Sequence, residues 1–390
     1  MRRDLILIAL AMFTWGLGEG LFFYFQPIYL ERLGANPIQI GAILGGFGLA
    51  MTVSHLPAGY LADRIGRKPL LVAAWIFGMM ATWIMALANS LPVFVIGILL
   101  YGTTMFVMSP LYSYLAVARG QLSVGRVITL ISACFNSGAV IGPWLGGQIG
   151  DRMGLRQAYF FAGILFVAST LVILFIRAQP IERTTAIKER TGWIFSQRYL
   201  AYLGAYFLAI FVTFLAQPLT PNFLSNQRDL TLGQVGALYS VASIGTVVLN
   251  LILGAMPARR GFLLGQVAVA CFALVLWLGV SPIWYFAGFF LLGGYKTARS
   301  LGSAQMRELA PQEKMGLAFG ISETLGGIAV ILAPLLAGYL YDRKPIWVYP
   351  LAAGLILASL VVSARFSPAP KIHEIKSSET GAQAPMTTLD

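Results

Sequence analysis

Apolar runs of about twenty residues follow one another along nearly the whole chain, and they limit what it can become. They cover roughly 5–30, 38–62, 69–89, 92–116, 126–150, 157–177, 198–221, 233–256, 262–280, 283–306, 315–340 and 346–366. We number them α1 to α12 in chain order. A helix needs roughly 20 apolar residues to cross a bilayer, and within lipid only helices and closed barrels satisfy their own backbone. The breaks between runs are turn-like: Asn36-Pro37, Asn89-Ser90-Leu91-Pro92 and Ser281-Pro282. The chain therefore reads as an all-α membrane protein of twelve transmembrane helices. Composition agrees, with 58% hydrophobic and 11% charged residues, where soluble domains carry about 25% charged. The first run follows Arg2 and Arg3 and continues to Leu30 with no small-residue cleavage site after it. That identifies a membrane helix and not a signal peptide. Cys134 and Cys271 both lie inside apolar runs, so no disulfide framework is expected.

The net charge of +12 could suggest a nucleic-acid partner, but its distribution points to membrane topology. Of the 27 Lys and Arg, Arg32, Arg152, Arg156, Arg228, Arg343 and Lys344 fall in loops on one side, and Lys296 and Arg299 fall inside a span. All the others lie on the side of the N-terminus, which marks that side as cytoplasmic. Both termini are then cytoplasmic. Residues 178–197 form a basic linker, and 367–390 form a Ser/Thr/Pro/Ala-rich tail expected to be disordered.

The chain also repeats itself. Gln26-Pro27 recurs as Gln217-Pro218, and Pro143, Gly147, Asp151 and Arg152 recur as Pro334, Gly338, Asp342 and Arg343, all 191 positions later. Gln39-Ile40-Gly41-Ala42 recurs as Gln234-Val235-Gly236-Ala237 at 195. Two six-helix pseudo-repeats in the same orientation follow, one at 1–177 and one at 198–366. Parallel repeats of this kind belong to transporters with a central binding site.

Three motifs carry a resemblance. Gly59-Tyr60-Leu61-Ala62-Asp63-Arg64-Ile65-Gly66-Arg67-Lys68 joins α2 to α3; Gly138-Ala139-Val140-Ile141-Gly142-Pro143-Trp144-Leu145-Gly146-Gly147 lies in α5; and α1 ends in Gln26-Pro27-Ile28-Tyr29-Leu30. With its helix count, midpoint linker and repeat, the chain resembles the major facilitator superfamily, and within it the 12-helix drug–proton antiporter branch. That resemblance implies the major facilitator fold, with α1, α4, α7 and α10 lining a cavity. It further implies a gating role for Gly59, Asp63, Arg64, Gly66, Arg67 and Lys68, with Asp63 accepting from the start of α11 near Met315-Gly316. The second-half counterpart of this loop keeps Gly254, Arg259 and Gly261 but has Ala258 where Asp63 stands, so Asp63 is not needed merely to make the turn. One departure matters. The antiporter branch often carries an arginine in α4 followed by Gln-Gly, and here Phe94 to Gly102 contains no basic residue. Coupling through that arginine cannot be carried over.

Ionisable groups at membrane depth are expensive and usually face a cavity or one another. Glu19 lies roughly 16 Å from the external end of α1, Lys296 and Arg299 roughly 20 and 24 Å into α10, and Glu323 roughly 12 Å into α11 from its cytoplasmic start, at the helical rise. The resemblance, with α1 and α10 among the cavity-lining helices, implies that Glu19 and Lys296 lie opposite each other. Glu19 and Glu323 are the candidate proton-coupling acids, since desolvation favours a neutral acid and a nearby cation favours a carboxylate. Arg299 paired with Glu323 is the structural alternative. An anionic solute held by Lys296 and Arg299 is a further one, because Arg suits carboxylate or phosphate. Tyr24, Gln26, Tyr101, Tyr112, Asn136, Gln217 and Tyr239 complete the candidate cavity, although each is as readily a helix–helix hydrogen bond. Gly138, Gly142 and Gly146 make a small-residue face for close helix packing, Pro143 favours a bend, and Gly147 completes the motif.

No Gly-Lys-Ser phosphate loop, metal cluster or nucleophile triad appears, so neither an enzyme nor a cofactor is expected. The reading is a secondary active transporter of the cell membrane, most simply a proton-coupled exporter of small organic molecules, acting as a monomer in the bilayer. A symporter or facilitator for an anionic metabolite or sugar is the alternative. A membrane sensor or lipid transporter on the same scaffold ranks last, because the tail is too short for a signalling domain.

Overall fold

The computed structural model describes residues 3–179, 196–279, 281–310 and 315–368, with the side chains of 56–63, 307–308, 315–317 and 319 outside that description. Most of the linker and of the tail thus lie outside the described residues, as do the side chains of Gly59 and Asp63 and of the segment Met315-Gly316.

The described chain is a bundle of helical rods: α1 Arg3–Arg32, α2 Pro37–Ile65, α3 Arg67–Leu87, α4 Leu91–Ala118, α5 Val124–Met153 and α6 Leu155–Leu174, followed by α7 Gln197–Gln227, α8 Leu232–Gly254, α9 Ala258–Leu278, α10 in two pieces (Pro282–Leu292 and Gly294–Leu309), α11 Met315–Arg343 and α12 Val348–Phe366. Among the described residues, 11 helices are long and apolar enough to cross a membrane. The rod left out is α10, because neither of its pieces reaches that length alone. Side chains such as Leu251, Ile283 and Val361 are more than two-thirds exposed on the outside of the bundle. An apolar surface that extensive suits lipid and not water.

Four rods are broken, three of them beside a proline and one where another helix crowds it. In α1 a 3-10 turn at Phe23–Phe25 precedes Pro27, which has no N–H to offer the carbonyl a turn earlier. Gln217-Pro218 interrupts α7 in the same way, between Gln197–Leu215 and Thr220–Gln227. In α4 the 3-10 turn Thr104–Val107 precedes Pro110. Gly293 breaks α10 without a proline, where the backbone of Gly245 and Thr246 on α8 leaves no room for a side chain. By contrast, α5 continues unbroken past Pro143 and α11 past Pro334.

The stretch 59–68, expected as a loop, is mostly helix. α2 continues to Ile65, and α3 starts at Arg67. Gly66 alone makes the turn at φ 86°, a left-handed conformation that only glycine adopts without strain. Gly154 does the same between α5 and α6 at φ 91°.

Close packing at glycine holds the rods together. Gly138, Gly142 and Gly146 of α5 lie on the backbone of α1 from Phe13 to Leu21, where an added Cβ has no space. Gly147 and Gly236 bring α5 onto α8, and Gly41, Gly45 and Gly338 bring α2 onto α11 in the same manner. With no hydrophobic drive between helices in lipid, this intimate backbone contact supplies much of the association.

Polar ties gather at the end of the bundle that carries Gly34 and Gly154. The Asp151 carboxylate accepts the N–H groups of Leu232 (2.9 Å) and Gly233 (2.8 Å) at the start of α8. Glu31 accepts from the side-chain amides of Asn222 (2.6 Å) and Asn226 (2.9 Å) on α7, and Asn222 also donates to the Pro27 carbonyl at 3.1 Å. Ser240 of α8 accepts from the backbone N–H of Trp144 on α5 at 3.1 Å. These bonds join rods drawn from opposite halves of the sequence.

Candidate functional site

The broken rods enclose a central cavity of about 380 Å³, together with parts of α2, α8 and α11. Chain breaks at membrane depth are tolerated only where they are buried in protein or line a cavity, and these do line it. Phe23, Tyr24, Gln26 and Pro27 come from the break in α1, Gln217, Pro218 and Pro221 from α7, Met105 from α4, and Gly293, Tyr295, Lys296 and Arg299 from α10.

Glu19 and Lys296 both line this cavity, and both also line a water-sized crevice of about 30 Å³ between α1, α5, α8 and α10. Asn136 lines the crevice with them. Glu19 and Lys296 thus share a cavity, and among the described residues no ion pair joins them; the pair observed is Arg299 with Glu323. The Tyr101 hydroxyl donates instead to Glu19 Oε2 at 2.7 Å. An aromatic wall fixes that tyrosine: Trp15 stacks on Phe166 at 4.2 Å, and Tyr101 stands edge-on to Phe22 at 5.4 Å. Tyr101 is thus a fully buried support behind Glu19 and lies outside the lining of the larger cavity.

Arg299 and Glu323 pair at 3.0 Å, which ties α10 to α11, and Glu323 is not part of the cavity lining. Asn250 accepts from Thr297 at 2.7 Å and ties α8 to α10. Tyr24 and Tyr239 both line the cavity and stack on each other at 4.1 Å, closing it between α1 and α8. Gln217 lines it while donating to the Thr213 carbonyl at 2.9 Å. Gln26 is buried there, and its Nε2 has no partner among the described residues. Tyr112 lies elsewhere, 44% exposed on α4 and outside the cavity lining. Of the segment 59–68, Arg67 Nη1 donates to Gln179 Oε1 at 3.1 Å, and both Arg64 and Arg67 are engaged.

Sequence reasoning passed over the polar ties. The sequence marks Asp151 only as a member of the repeat, and it singles out none of Glu31, Asn222 and Asn226. A usable signal was present for Asp151: it lies four residues past Gly147, on the side of α5 that meets α8. Nothing comparable marked Glu31.

Comparison with known proteins agrees with this architecture. The profile of the Major Facilitator Superfamily matches residues 8–201 and again 202–389. The chain belongs to the Major Facilitator Superfamily. It is a multi-pass membrane protein of a transporter family and not an enzyme. An uncharacterized MFS-type transporter of Methanocaldococcus jannaschii is 22% identical over 88% of this chain and 92% of its own. The quinolone resistance protein NorA of Staphylococcus aureus is 21% identical over 93% and 96%. Among solved structures, the nucleoside transporter NupG superposes with a TM-score of 0.83 at 14% identity, over 93% of this chain and 100% of that one. The human organic anion transporter MFSD10 gives 0.65 at 17%, over 93% and 99%. At such identities the structural likeness establishes the fold.

Proposed function

We propose that this transporter crosses the membrane twelve times with both termini cytoplasmic, and that its halves, 1–177 and 198–366, rock about the central cavity to export small organic molecules against inward-moving protons. α10 is the twelfth crossing, its two pieces together matching the length of the other broken rods. The observation that carries the reading is the cavity itself. It holds an acid and a cation on broken helices, and the surrounding rods are tied across one end by Asp151 and Glu31. In the proposed cycle those ties close the external side, and residues 59–68 close the cytoplasmic side in the alternate state. Glu19 is the proton carrier: among the described residues it is the one carboxyl in the cavity lining, and a tyrosine, not a cation, is bonded to it. Glu323 has a weaker claim to that role, because Arg299 already holds it. The exporting direction is supported by the likeness to a quinolone resistance protein.

Proteoliposomes loaded with a fluorescent quinolone test this. An imposed pH gradient should drive its net flux in the wild type, and Glu19→Gln should abolish that flux while leaving counterflow. Unchanged gradient-driven flux in Glu19→Gln would remove Glu19 from the coupling role. Lys296 favours one alternative, symport of an organic anion with a proton, because an anion on Lys296 and a proton on Glu19 can travel together. In the same vesicles, symport would move cargo in the direction of the proton and export would move it oppositely.

A further inference from the structure

The polar groups of the cavity are unequally committed. Glu19 is bonded to Tyr101, Arg299 to Glu323, and Gln217 to the Thr213 carbonyl. Two donors remain. Among the described residues the Lys296 ammonium has no hydrogen-bond or ion-pair partner, although it lines the cavity from α10. The Gln26 Nε2 is buried, unpartnered, and belongs to a residue lining the same cavity from α1. A buried amide donor left without a partner costs roughly 1–3 kcal/mol, and the Lys296 ammonium, exposed to the cavity and within electrostatic reach of Glu19, still has no acceptor bonded to it at membrane depth. Both donors are satisfied if an occupant brings acceptors.

The rest of the lining sets the occupant's body. Phe23, Phe47 and Phe214 surround the cavity, and the stacked rings of Tyr24 and Tyr239 form one of its walls. Flat apolar surfaces of this kind favour an aromatic ring, which packs offset or edge-on against them. A volume of about 380 Å³ falls in the range of sites for small organic ligands, about 300–1,000 Å³.

We infer that the cargo is an aromatic monocarboxylate, its carboxylate on Lys296 and Gln26 and its ring against the Phe23, Tyr24 and Tyr239 wall. One charge and not two follows from the count of available cations. Arg299 is held by Glu323, so a phosphate dianion would face Lys296 alone. The inference deepens the transport reading and rests on it for the cargo being carried, but binding tests the site separately.

Three isosteric probes decide it: 2-naphthoate, the neutral 2-naphthamide and the cationic 2-naphthylmethylammonium, titrated against the purified chain in lipid nanodiscs by intrinsic tryptophan fluorescence. Naphthoate should bind at least about tenfold tighter than the amide, with the ammonium weakest. Lys296→Gln should bring naphthoate down to the amide, Lys296→Arg should retain the preference, and Gln26→Leu should weaken naphthoate about two- to fivefold. Equal affinity for the three probes, or tightest binding of the ammonium, would overturn the inference. So would an equal loss for all three in Lys296→Gln. The ranking in the unmodified protein decides the matter even if a variant fails to fold. Naphthoate that binds but is never carried would sink the transport reading and keep the site. Gradient-driven flux of the cationic 2-naphthylmethylammonium with no naphthoate binding would do the reverse.

Discussion

Two seams in this bundle are built from one repeated motif and finished differently. Pro143, Gly147 and Asp151 set α5 against α8, and Pro334, Gly338 and Asp342 set α11 against α2. In both seams a glycine lies where only backbone fits: Gly147 against Leu232 and Gly233, Gly338 against Pro37 and Gly41. In both, the receiving helix opens with its own side-chain cap, Thr231 with Gln234 on α8 and Asn36 with Gln39 on α2. The acids then diverge. Asp151 lies on the first N–H groups of α8, where a carboxylate suits the helix dipole, whereas Asp342 stands exposed with no hydrogen-bond partner among the described residues. The repeat transmits backbone packing between seams and leaves the polar fastening to one of them. In the proposed cycle, α5–α8 is then the seam whose release costs more.

The shared feature should give the largest effects. Gly147→Val and Gly338→Val each force a side chain into backbone, and overpacking of this kind costs about 1–3 kcal/mol or more. Both should lower the melting temperature in detergent clearly, while Gly254→Val, with nothing within 4 Å, should lower it far less. If only one seam responded, packing would not be the shared element. The fastening should separate the two seams. Asp151→Asn removes a charge from the α8 terminus at about 1 kcal/mol, and Asp342→Asn should change melting little, within about 0.5 kcal/mol for an unengaged surface group. Equal losses would erase the asymmetry. The smallest difference concerns the caps. Asn36→Ala should cost the usual ~1 kcal/mol, and Thr231→Ala somewhat less, because Asp151 already covers neighbouring N–H groups of α8. A larger loss at Thr231 would contradict this.

Much of this fold was legible because its causes are local. Runs of apolar residues give the rods and the α5 glycines give a face for close packing, whereas the breaks at the Gln-Pro pairs and the choice of α1 as partner come only with the structure. α10 shows the limit. Its run of 283–306 looked like the others, but Gly293 divides it, and the reason lies on α8 at Gly245 and Thr246. The site was legible to the extent that charge at membrane depth is rare: Glu19, Lys296 and Arg299 were all found in this way and all line the cavity. What stayed hidden depends on pairing across long sequence separations. Tyr101 bonds Glu19 over 82 positions and thereby becomes a support behind the acid. Asp151 reaches Leu232 over 81, and Asn222 reaches Glu31 over 191. No periodicity encodes such partners.

The central claim is that the end fastened by Asp151 and Glu31 is closed in one state and open in another. Spin labels on Arg32→Cys and Gln227→Cys, in a chain with Cys134 and Cys271 replaced by serine, report the distance across that end by pulsed electron resonance in nanodiscs. The account predicts a short distance in equilibrium with a longer one, and a shift toward the longer population in Asp151→Asn but not in Asp342→Asn. One short distance in all three proteins, at every pH and with the fluorescent quinolone or naphthoate present, would contradict it.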